Sequence, residues 1–331
     1  MKKIICILLV ALLLLPLNAC ASPKPVSREY YFMDTLITVT LYADEEEAEP
    51  IFKECRRILS ELDSLWSRTK EDSDTARFNA SAAGLSDLDA RTVKLLETAL
   101  DVSQKTHGAF DVTVLPLVNM WQGCETAQAL PSKDALAEVL SLVDYNRLSV
   151  DSETAVSKVA GTEIDFGGIG KGAAIDALIR YLESTDVSGG LVSFGSNVAV
   201  FGKKPDGSDF RIGLRDPHDR TDYAGALTLK EGEILSVSGD YERYYTVCGE
   251  QYHHILDPET GYPAETGLST VAVVCSDGAL ADALSTALFV MGEEEAIALY
   301  DAQIYRFEAI FIRSDGSICV TAGLQKRFEK Q

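Results

Sequence analysis

The sequence predicts an α+β fold in which largely antiparallel sheets pack against separate helices. Apolar residues recur at helical spacing in only a few segments, while short β-branched and aromatic stretches divided by glycines fill residues 189–255. Strands and helices do not alternate regularly along the chain, as they would in a doubly wound α/β protein. No repeat or linker interrupts residues 30–331, so we predict one domain there.

The first residues are typical of an exported protein. Two lysines precede an apolar run over 4–17, which is short for a membrane span and suits a signal peptide. The run leads into LNAC, a bacterial lipoprotein pattern in which Cys20 becomes the lipidated first residue. We predict a signal peptide over 1–19, then Cys20 and a flexible tether over 20–29 that holds the domain at the extracytoplasmic face of the cell membrane. An ordinary secretory signal and a short buried helix are the alternatives.

The remaining elements are predicted in chain order. Helices are expected from Glu45 to about Leu65 and over 90–106, 132–142, 172–184, 278–291 and 293–302. Strands or hairpin arms are expected over 30–43, 147–151, 155–159, 162–166 and 269–276. Residues 309–323 form a β-rich tail that turns at RSDGS. Residues 67–84 show no clear period and are expected to be irregular, and residues 107–121 combine a turn with a short extended piece.

Charge and cysteine usage exclude several classes of protein. A formal net charge of −21 argues against a surface that binds nucleic acid or anionic lipid, so local basic residues are informative. The cysteines beyond Cys20 are odd in number and widely spaced, without a CxxC motif: Cys55, Cys124, Cys248, Cys275 and Cys319. This pattern is neither a disulfide framework nor a zinc site, and we expect most of these thiols to be small core residues.

The stretch DFGGIGKGAAIDAL, at residues 165–178, is a glycine turn ahead of a helix. It fails the Walker A pattern, and although GxGxxA fits from Gly168, no acidic residue ends the next strand as a dinucleotide fold requires. A helix N-terminus with Lys171 still favours an anion, and Asp165 could bind a hydroxyl or an imide N–H. The alternative is a tight turn without a ligand.

Two further clusters carry chemistry. The stretch HHILDPETG begins at His253, and if both histidines lie on a strand, only one of them can face a site. Asp282 and Thr286 are four residues apart on a predicted buried helix, and a carboxylate with a hydroxyl suits Mg²⁺. The alternatives are a surface hairpin for the histidines, and, on the helix, a cap or arginine pair for Asp282 with Thr286 bonded back to a carbonyl.

Taken together, the sequence resembles the ApbE family of FAD:protein FMN transferases. The resemblance runs from about Tyr30 to Phe328, and seven segments occur in family order: FMDTLITV, SDTARFN, GAFDVTVLPLVNMW, DFGGIGKGAAID, LSVSGDYERYY, HHILDPETGYP and ADALSTALFVMG. The resemblance implies an ApbE-like, T-fold-like domain that binds FAD with Mg²⁺. It implies that a threonine or serine hydroxyl of a target protein attacks the FMN-side phosphorus, so that AMP leaves and the flavin stays attached by a phosphoester.

The resemblance also implies roles for single residues. The flavin- and nucleotide-contacting positions are Met33, Ala109, Phe110 and Asp111, with Asp165 and Lys171 as FAD contacts beside the glycine turn. The Mg²⁺ ligands are the side chains of Asp282 and Thr286 and the carbonyl of Gly168. His254 matches the family histidine near the reacting phosphates, and His254 and Asp257 both stay open as the general base. The family often has glycine at Asp34, and FGSN at 194–197 replaces a more usual pair of glycines.

Two other functions fit the same residues. With water in place of the protein hydroxyl, the site would hydrolyse FAD to FMN and AMP. Without turnover, the chain would be a flavin-binding lipoprotein, although such a protein has no need of a metal at the pyrophosphate. For the transferase, the expected partner is an exported or membrane redox subunit that carries the acceptor threonine or serine.

Overall fold

The computed structural model describes residues 24–331. The predicted signal peptide, Cys20 and the first residues of the predicted tether lie outside the described residues. Within residues 24–331, no helix is both long enough and apolar enough to cross a membrane.

The folded part of the chain begins earlier than predicted, which corrects the tether at 20–29. Strand β1 already starts at Pro25 and pairs with β2 along its whole length. Arg28 pairs with Glu45 and Glu49 of the first helix, and Tyr30 donates a hydrogen bond to the carbonyl of Phe52. These contacts hold residues 25–29 in the sheet, so they are not part of a flexible tether.

Residues 24–331 contain seven α-helices, one 3₁₀ helix at Tyr145–Arg147 and sixteen strands. The helices are α1 Glu45–Trp66, α2 Asp74–Ala80, α3 Ala90–Lys105, α4 Leu115–Ala127, α5 Lys133–Leu140, α6 Gly170–Leu182 and α7 Gly278–Asp301. The strands are β1 Pro25–Phe32, β2 Thr35–Tyr42, β3 Gly84–Leu85, β4 Leu148–Ser152, β5 Ala155–Lys158, β6 Gly189–Phe194, β7 Asn197–Gly202, β8 Phe210–Arg215, β9 Tyr223–Leu229, β10 Ile234–Gly239, β11 Tyr244–Val247, β12 Glu250–His253, β13 Leu268–Cys275, β14 Glu308–Arg313, β15 Ile318–Val320 and β16 Phe328–Lys330.

An eight-stranded antiparallel sheet organises the domain, in the order β1-β2-β6-β7-β10-β13-β14-β15. One face packs against the helices, with Val271 and Val273 of β13 in that core. The other face packs against the small sheet β16-β9-β8, with Ala272 and Val274 in the second core. Because alternate residues of β13 enter different cores, the whole strand is buried. The α+β class with largely antiparallel sheets is confirmed.

Three local predictions were wrong. Residues 74–80 form a helix within the expected irregular segment, because Ser73 accepts a hydrogen bond from the Ala76 amide as an N-cap. Helix α4 replaces the expected extended piece, and its proline lies in the first turn, where a missing N–H costs little. Residues 162–166 do not form a strand. Instead of pairing with a strand, the backbone N–H and carbonyl of Ile164 form hydrogen bonds with the side-chain amide of Asn79.

Other predictions agree with the structure. Residues 278–291 and 293–301 are two helical stretches merged across a kink at Gly292, whose φ of 78° ends the first stretch. The RSDGS turn joins β14 to β15. Cys55, Cys124 and Cys275 are buried as free thiols, whereas Cys248 is exposed and Cys319 is half-buried.

Candidate active site

A cleft of about 720 Å³ opens where the β1–β2 turn, the glycine turn, the start of α7 and the segment after β12 meet. Most of the residues singled out in the sequence line it. These are Met33, Ala109, Phe110, Asp111, Asp165, Gly168, Lys171, His254, Asp282 and Thr286. Their separation along the chain means that the fold, rather than local sequence, brings them together.

Asp282 lies at the inner wall of the cleft and is only 3% exposed. Its Oδ1 accepts a hydrogen bond from the Asn197 side-chain amide at 2.9 Å, and its Oδ2 accepts one from the Gly172 amide at 2.9 Å. The Ser236 hydroxyl lies 3.2 Å from Oδ1. These donors hold the buried carboxylate in one orientation and offset its desolvation.

Thr286 places a hydroxyl one helical turn beyond Asp282, on the same face of α7. A Cβ atom added at Gly168 would lie 3.6 Å from Thr286 Oγ1, so the glycine turn passes directly beside this hydroxyl. Ser238 adds a second hydroxyl 3.4 Å from Thr286 Oγ1.

These groups fit a hard cation. A carboxylate, hydroxyls and a backbone carbonyl are the oxygen ligands that Mg²⁺ prefers. Among residues 24–331, no group of three histidine, cysteine, aspartate or glutamate side chains could hold a metal ion. A cation at this wall would therefore depend on the mixed oxygen set around Asp282 and Thr286.

Lys171, in the first turn of α6, supplies the positive charge nearest to this wall. Its Nζ lies 3.3 Å from Asp282 Oδ1 and 3.2 Å from the Gly167 carbonyl oxygen. The ammonium thus contacts both the glycine turn and the buried carboxylate.

Asp165 shapes the glycine turn. Its Oδ1 accepts a hydrogen bond from the Gly167 amide at 2.9 Å, and its Oδ2 lies 3.5 Å from Arg68 Nη1. That Nη1 atom is buried and has no hydrogen-bond partner within the described part of the chain. Arg68 lines the cleft as well, so it adds a cation that the sequence prediction omitted.

The AFD segment, Ala109 to Asp111, packs against the glycine turn. The ring of Phe110 lies 3.1 Å from the position of a Cβ atom at Gly168, which leaves no room for a larger residue unless the ring moves. Asp111 accepts hydrogen bonds from the Thr113 amide and hydroxyl and from the Tyr145 amide. Burial raises the pKa of Asp111. Through its hydrogen bonds to Thr113 and Tyr145, the Asp111 carboxylate joins the segment after AFD to the segment around Tyr145.

Met33 sits at the opposite edge, in the β1–β2 turn. Met33 and Asp34 both have positive φ, and the Met33 amide donates a hydrogen bond to Asp63 Oδ1 at 3.0 Å. Arg243 Nη2 reaches the Asp34 carbonyl, which ties the turn to the segment before β11.

The two adjacent histidines face different surroundings, although only His253 lies on a strand, as the last residue of β12, and His254 follows it. His254 lines the cleft, whereas the ring of His253 packs edge-on against Phe289. His254 Nδ1 lies 3.1 Å from the Arg243 carbonyl oxygen, so Nδ1 carries the proton and Nε2 is left as the basic nitrogen. Desolvation lowers the pKa of His254 to about 4.

Asp257 occupies the DPETG turn. Its Oδ1 accepts a hydrogen bond from the Glu259 amide, and its Oδ2 accepts one from the Thr260 hydroxyl. Leu256 and Pro258 line the cleft, but Asp257 is not among the described lining residues. Both carboxylate oxygens thus serve the turn, and the geometry favours His254 over Asp257 as a base.

The model of the ApbE family matches residues 33–311. That span includes every predicted site residue except Cys20. This chain belongs to the ApbE family.

Relatives and solved structures agree with this ApbE assignment. A protein of Treponema pallidum (strain Nichols), named FAD:protein FMN transferase, is 31% identical over 93% of this chain and 90% of its own length. The ApbE protein of Thermotoga maritima superimposes with a TM-score of 0.82 at 29% identity, covering 91% of this chain and 98% of that one. The apo form of the Pseudomonas stutzeri flavinyl transferase ApbE gives a TM-score of 0.79 at 29% identity, over 93% and 99% of the two chains.

Sequence reasoning missed several polar residues of this ApbE site. Asn197 and Ser236 contact Asp282, although each lies more than 40 residues from it in the sequence. A signal was available, because Asn197 begins an otherwise apolar strand and Ser236 lies between Leu235 and Val237, and a buried polar group needs a partner. Arg68 carried a weaker signal, as a basic residue against an acidic background.

Proposed function

We propose that this ApbE-family chain is a Mg²⁺-dependent FAD:protein FMN transferase. It would transfer the FMN moiety of FAD to a threonine or serine hydroxyl of a target protein, forming a phosphoester and releasing AMP. The observation that carries this proposal is the meeting of Asp282, Thr286 and the Gly168 turn on one wall of the cleft that His254 also lines. The Treponema pallidum relative, which is named FAD:protein FMN transferase, supports the same activity.

The chemical step balances within this arrangement. The acceptor hydroxyl oxygen bonds to the FMN-side phosphorus while the bond from that phosphorus to the AMP oxygen breaks. The hydroxyl proton passes to His254 Nε2, which is neutral at physiological pH because the pKa of His254 lies near 4. AMP leaves with the bridging oxygen.

The chain's own groups would orient the substrate. The N-terminus of α6 and the Lys171 ammonium supply positive potential for the diphosphate. The bonds from Asn197 and Gly172 keep the Asp282 carboxylate aimed at the wall of the cleft. When bound by Asp282, Thr286 and the Gly168 carbonyl, Mg²⁺ would neutralise phosphate charge during the displacement.

The deciding experiment uses the chain without residues 1–20, which retains every described helix and strand. It is incubated with FAD and Mg²⁺, with and without an exported redox-subunit domain that exposes a threonine, and intact masses are recorded while AMP is quantified. A gain of one FMN on the acceptor with equimolar AMP is expected. AMP with free FMN and no adduct would favour FAD hydrolysis, and bound FAD that releases no AMP would favour a flavin-binding protein.

We also propose that the domain is lipid-anchored through Cys20 at the extracytoplasmic face of the cell membrane. The LNAC pattern and the apolar run before it support this proposal. The acceptor would then be an exported or membrane redox subunit. In the producing cell, Cys20→Ala is expected to move the protein from the membrane fraction to the soluble fraction, while an unchanged distribution would contradict the anchor.

A further inference from the structure

Lys171 and Asp282 form an ion pair in which the two partners are held very differently. The Asp282 carboxylate accepts hydrogen bonds from the side-chain amide of Asn197 and from the backbone N–H of Gly172, each at 2.9 Å. Lys171 Nζ lies 3.3 Å from one carboxylate oxygen and 3.5 Å from the other. These distances exceed the 2.7–2.9 Å or so of a tight charge-assisted hydrogen bond. Apart from these contacts, Nζ donates within residues 24–331 only to the Gly167 carbonyl oxygen, at 3.2 Å, so the ammonium is held less tightly than the carboxylate.

Burial explains why the ammonium is there at all. The Asp282 side chain is 4% exposed and the Lys171 side chain is 22% exposed. A carboxylate this deep needs a compensating charge, and Lys171 is the cation that the described structure places against it. A divalent cation bound by Asp282 would supply that charge instead.

The side chain of Lys171 can move once another cation neutralises the Asp282 carboxylate. Its backbone lies in the first turn of α6, while its four-carbon stem reaches into the cleft. Rotation about the stem moves the ammonium away from Asp282 without moving the helix.

We propose that Lys171 is the exchangeable counter-ion of Asp282. In the metal-free enzyme its ammonium neutralises the buried carboxylate. A divalent cation that binds Asp282 displaces the ammonium into the cleft, where it meets the diphosphate of FAD. This inference rests on the proposed function, and it makes Lys171 a substrate-binding residue whose availability depends on metal binding.

The direct test measures how accessible Lys171 is to an amine-reactive ester, with Mg²⁺ alone and no FAD. Modification is quantified peptide by peptide by mass spectrometry across a Mg²⁺ titration. Modification of Lys171 is expected to rise several-fold along the Mg²⁺ binding curve. Lys70, which also lines the cleft but pairs with Asp63, serves as the internal control and should not respond. Asp282→Asn should abolish the response of Lys171.

A second measurement uses Mn²⁺ binding, followed by electron paramagnetic resonance, again without FAD. Lys171→Met is expected to tighten Mn²⁺ binding roughly tenfold, or about 1.4 kcal/mol, because no ammonium competes for the carboxylate. Lys171→Arg should bind Mn²⁺ much as the unmodified protein does. Arg68→Met removes a cleft cation that pairs with Asp165 instead, so it should change Mn²⁺ binding far less.

The outcomes separate this inference from the proposed function. If Mn²⁺ and Mg²⁺ bind but Lys171 modification stays constant or falls, the displacement is overturned while the metal site stands. If Lys171→Met leaves Mn²⁺ affinity unchanged or weaker, the competition is overturned as well. If the unmodified protein binds neither ion, both the inference and the metal-dependent function are overturned.

Discussion

Asp176 and Asp282 cap each other's helices where α6 crosses α7. Asp282, on α7, accepts a hydrogen bond from the Gly172 amide in the first turn of α6. Asp176, on α6, accepts hydrogen bonds from the Gly278 and Ala279 amides at the start of α7, at 2.7 and 2.9 Å. Each carboxylate satisfies amides that the other helix leaves open. This reciprocal arrangement fixes the glycine turn and the proposed metal ligands relative to one another.

The crossing depends on the absence of a side chain at Gly172. A Cβ atom there would lie 1.9 Å from the Gly278 carbonyl oxygen and 2.7 Å from Asp282 Cβ. Gly172→Ala is therefore expected to lower the free energy of unfolding by about 1 to 3 kcal/mol, measured by urea denaturation. Gly123→Ala is the matched control, because Gly123 lies in α4 with nothing within 4 Å of an added Cβ. It should stabilise the protein by up to ~1 kcal/mol; equal effects at the two positions would contradict the steric account.

Asp176 should make stability depend on pH in an identifiable window. Burial raises the pKa of Asp176 from 3.8 to about 6 in the folded protein. The folded state therefore binds the proton more tightly than the unfolded state, and the contribution of Asp176 to stability is greatest below pH 3.8 and declines as pH rises to about 6. The full change amounts to roughly 3 kcal/mol.

The comparison is with Asp176→Asn, which cannot titrate. Unfolding free energies of the two proteins are measured by denaturant titration at several pH values between 4 and 7.5. As pH rises through this window, the unfolding free energy of the unmodified protein should fall relative to that of Asp176→Asn. Parallel curves would show that Asp176 does not carry a raised pKa.

Asp282 should be essential for metal-dependent turnover. Asp282→Ala removes the only carboxylate of the proposed ligand set, so Mg²⁺-dependent AMP release is expected to fall by on the order of a hundredfold or more. Asp277→Asn is the control on the same helix, because Asp277 caps Leu280 and asparagine caps nearly as well. Normal Mg²⁺-dependent turnover in Asp282→Ala would refute the metal assignment.

His254 should act as the base, and Asp257 should not. His254→Gln is expected to slow FMN transfer about 10²- to 10⁴-fold, whereas Asp257→Asn should mainly loosen the DPETG turn that its carboxylate holds. Single-turnover transfer, with FAD affinity measured separately, distinguishes the two effects. A larger loss of rate in Asp257→Asn at unchanged stability would reverse the assignment.

The pH profile gives an independent check on His254. Because desolvation lowers its pKa to about 4, the imidazole stays neutral from pH 5.5 to 7.5. The value of kcat/KM, which reports groups of the free enzyme, should stay flat over that range and fall only towards pH 4. An acid limb near the ordinary histidine value of about 6.5 would mean that another group, or a more solvated His254, controls the rate.

The predictions that agree best with the structure are those that rest on local patterns in the sequence. The 3.6-residue spacing at α1 and α3 and the break at Gly292 are properties of neighbouring residues, so the sequence alone predicted them. Helix α2 was missed although Ser73 offers a cap, because its seven residues give too few turns for a period to appear. Helix α4 was missed because residues 107–121 were expected to contain only a turn and a short extended piece, although Pro116 is well placed in the first turn of a helix.

By itself, the sequence determined the α+β class, membership of the ApbE family, and many of the side chains that meet at the site, though not Asn197, Ser236 or Arg68. Tertiary structure alone decided that Asp282 is held by Asn197 and Gly172, and that Lys171 rather than an arginine faces its carboxylate. Those partners lie 85, 110 and 111 residues away along the chain. Contacts over such separations follow from strand order in the sheet and from a glycine-to-glycine helix crossing, and neither leaves a periodic trace in the sequence around Asp282.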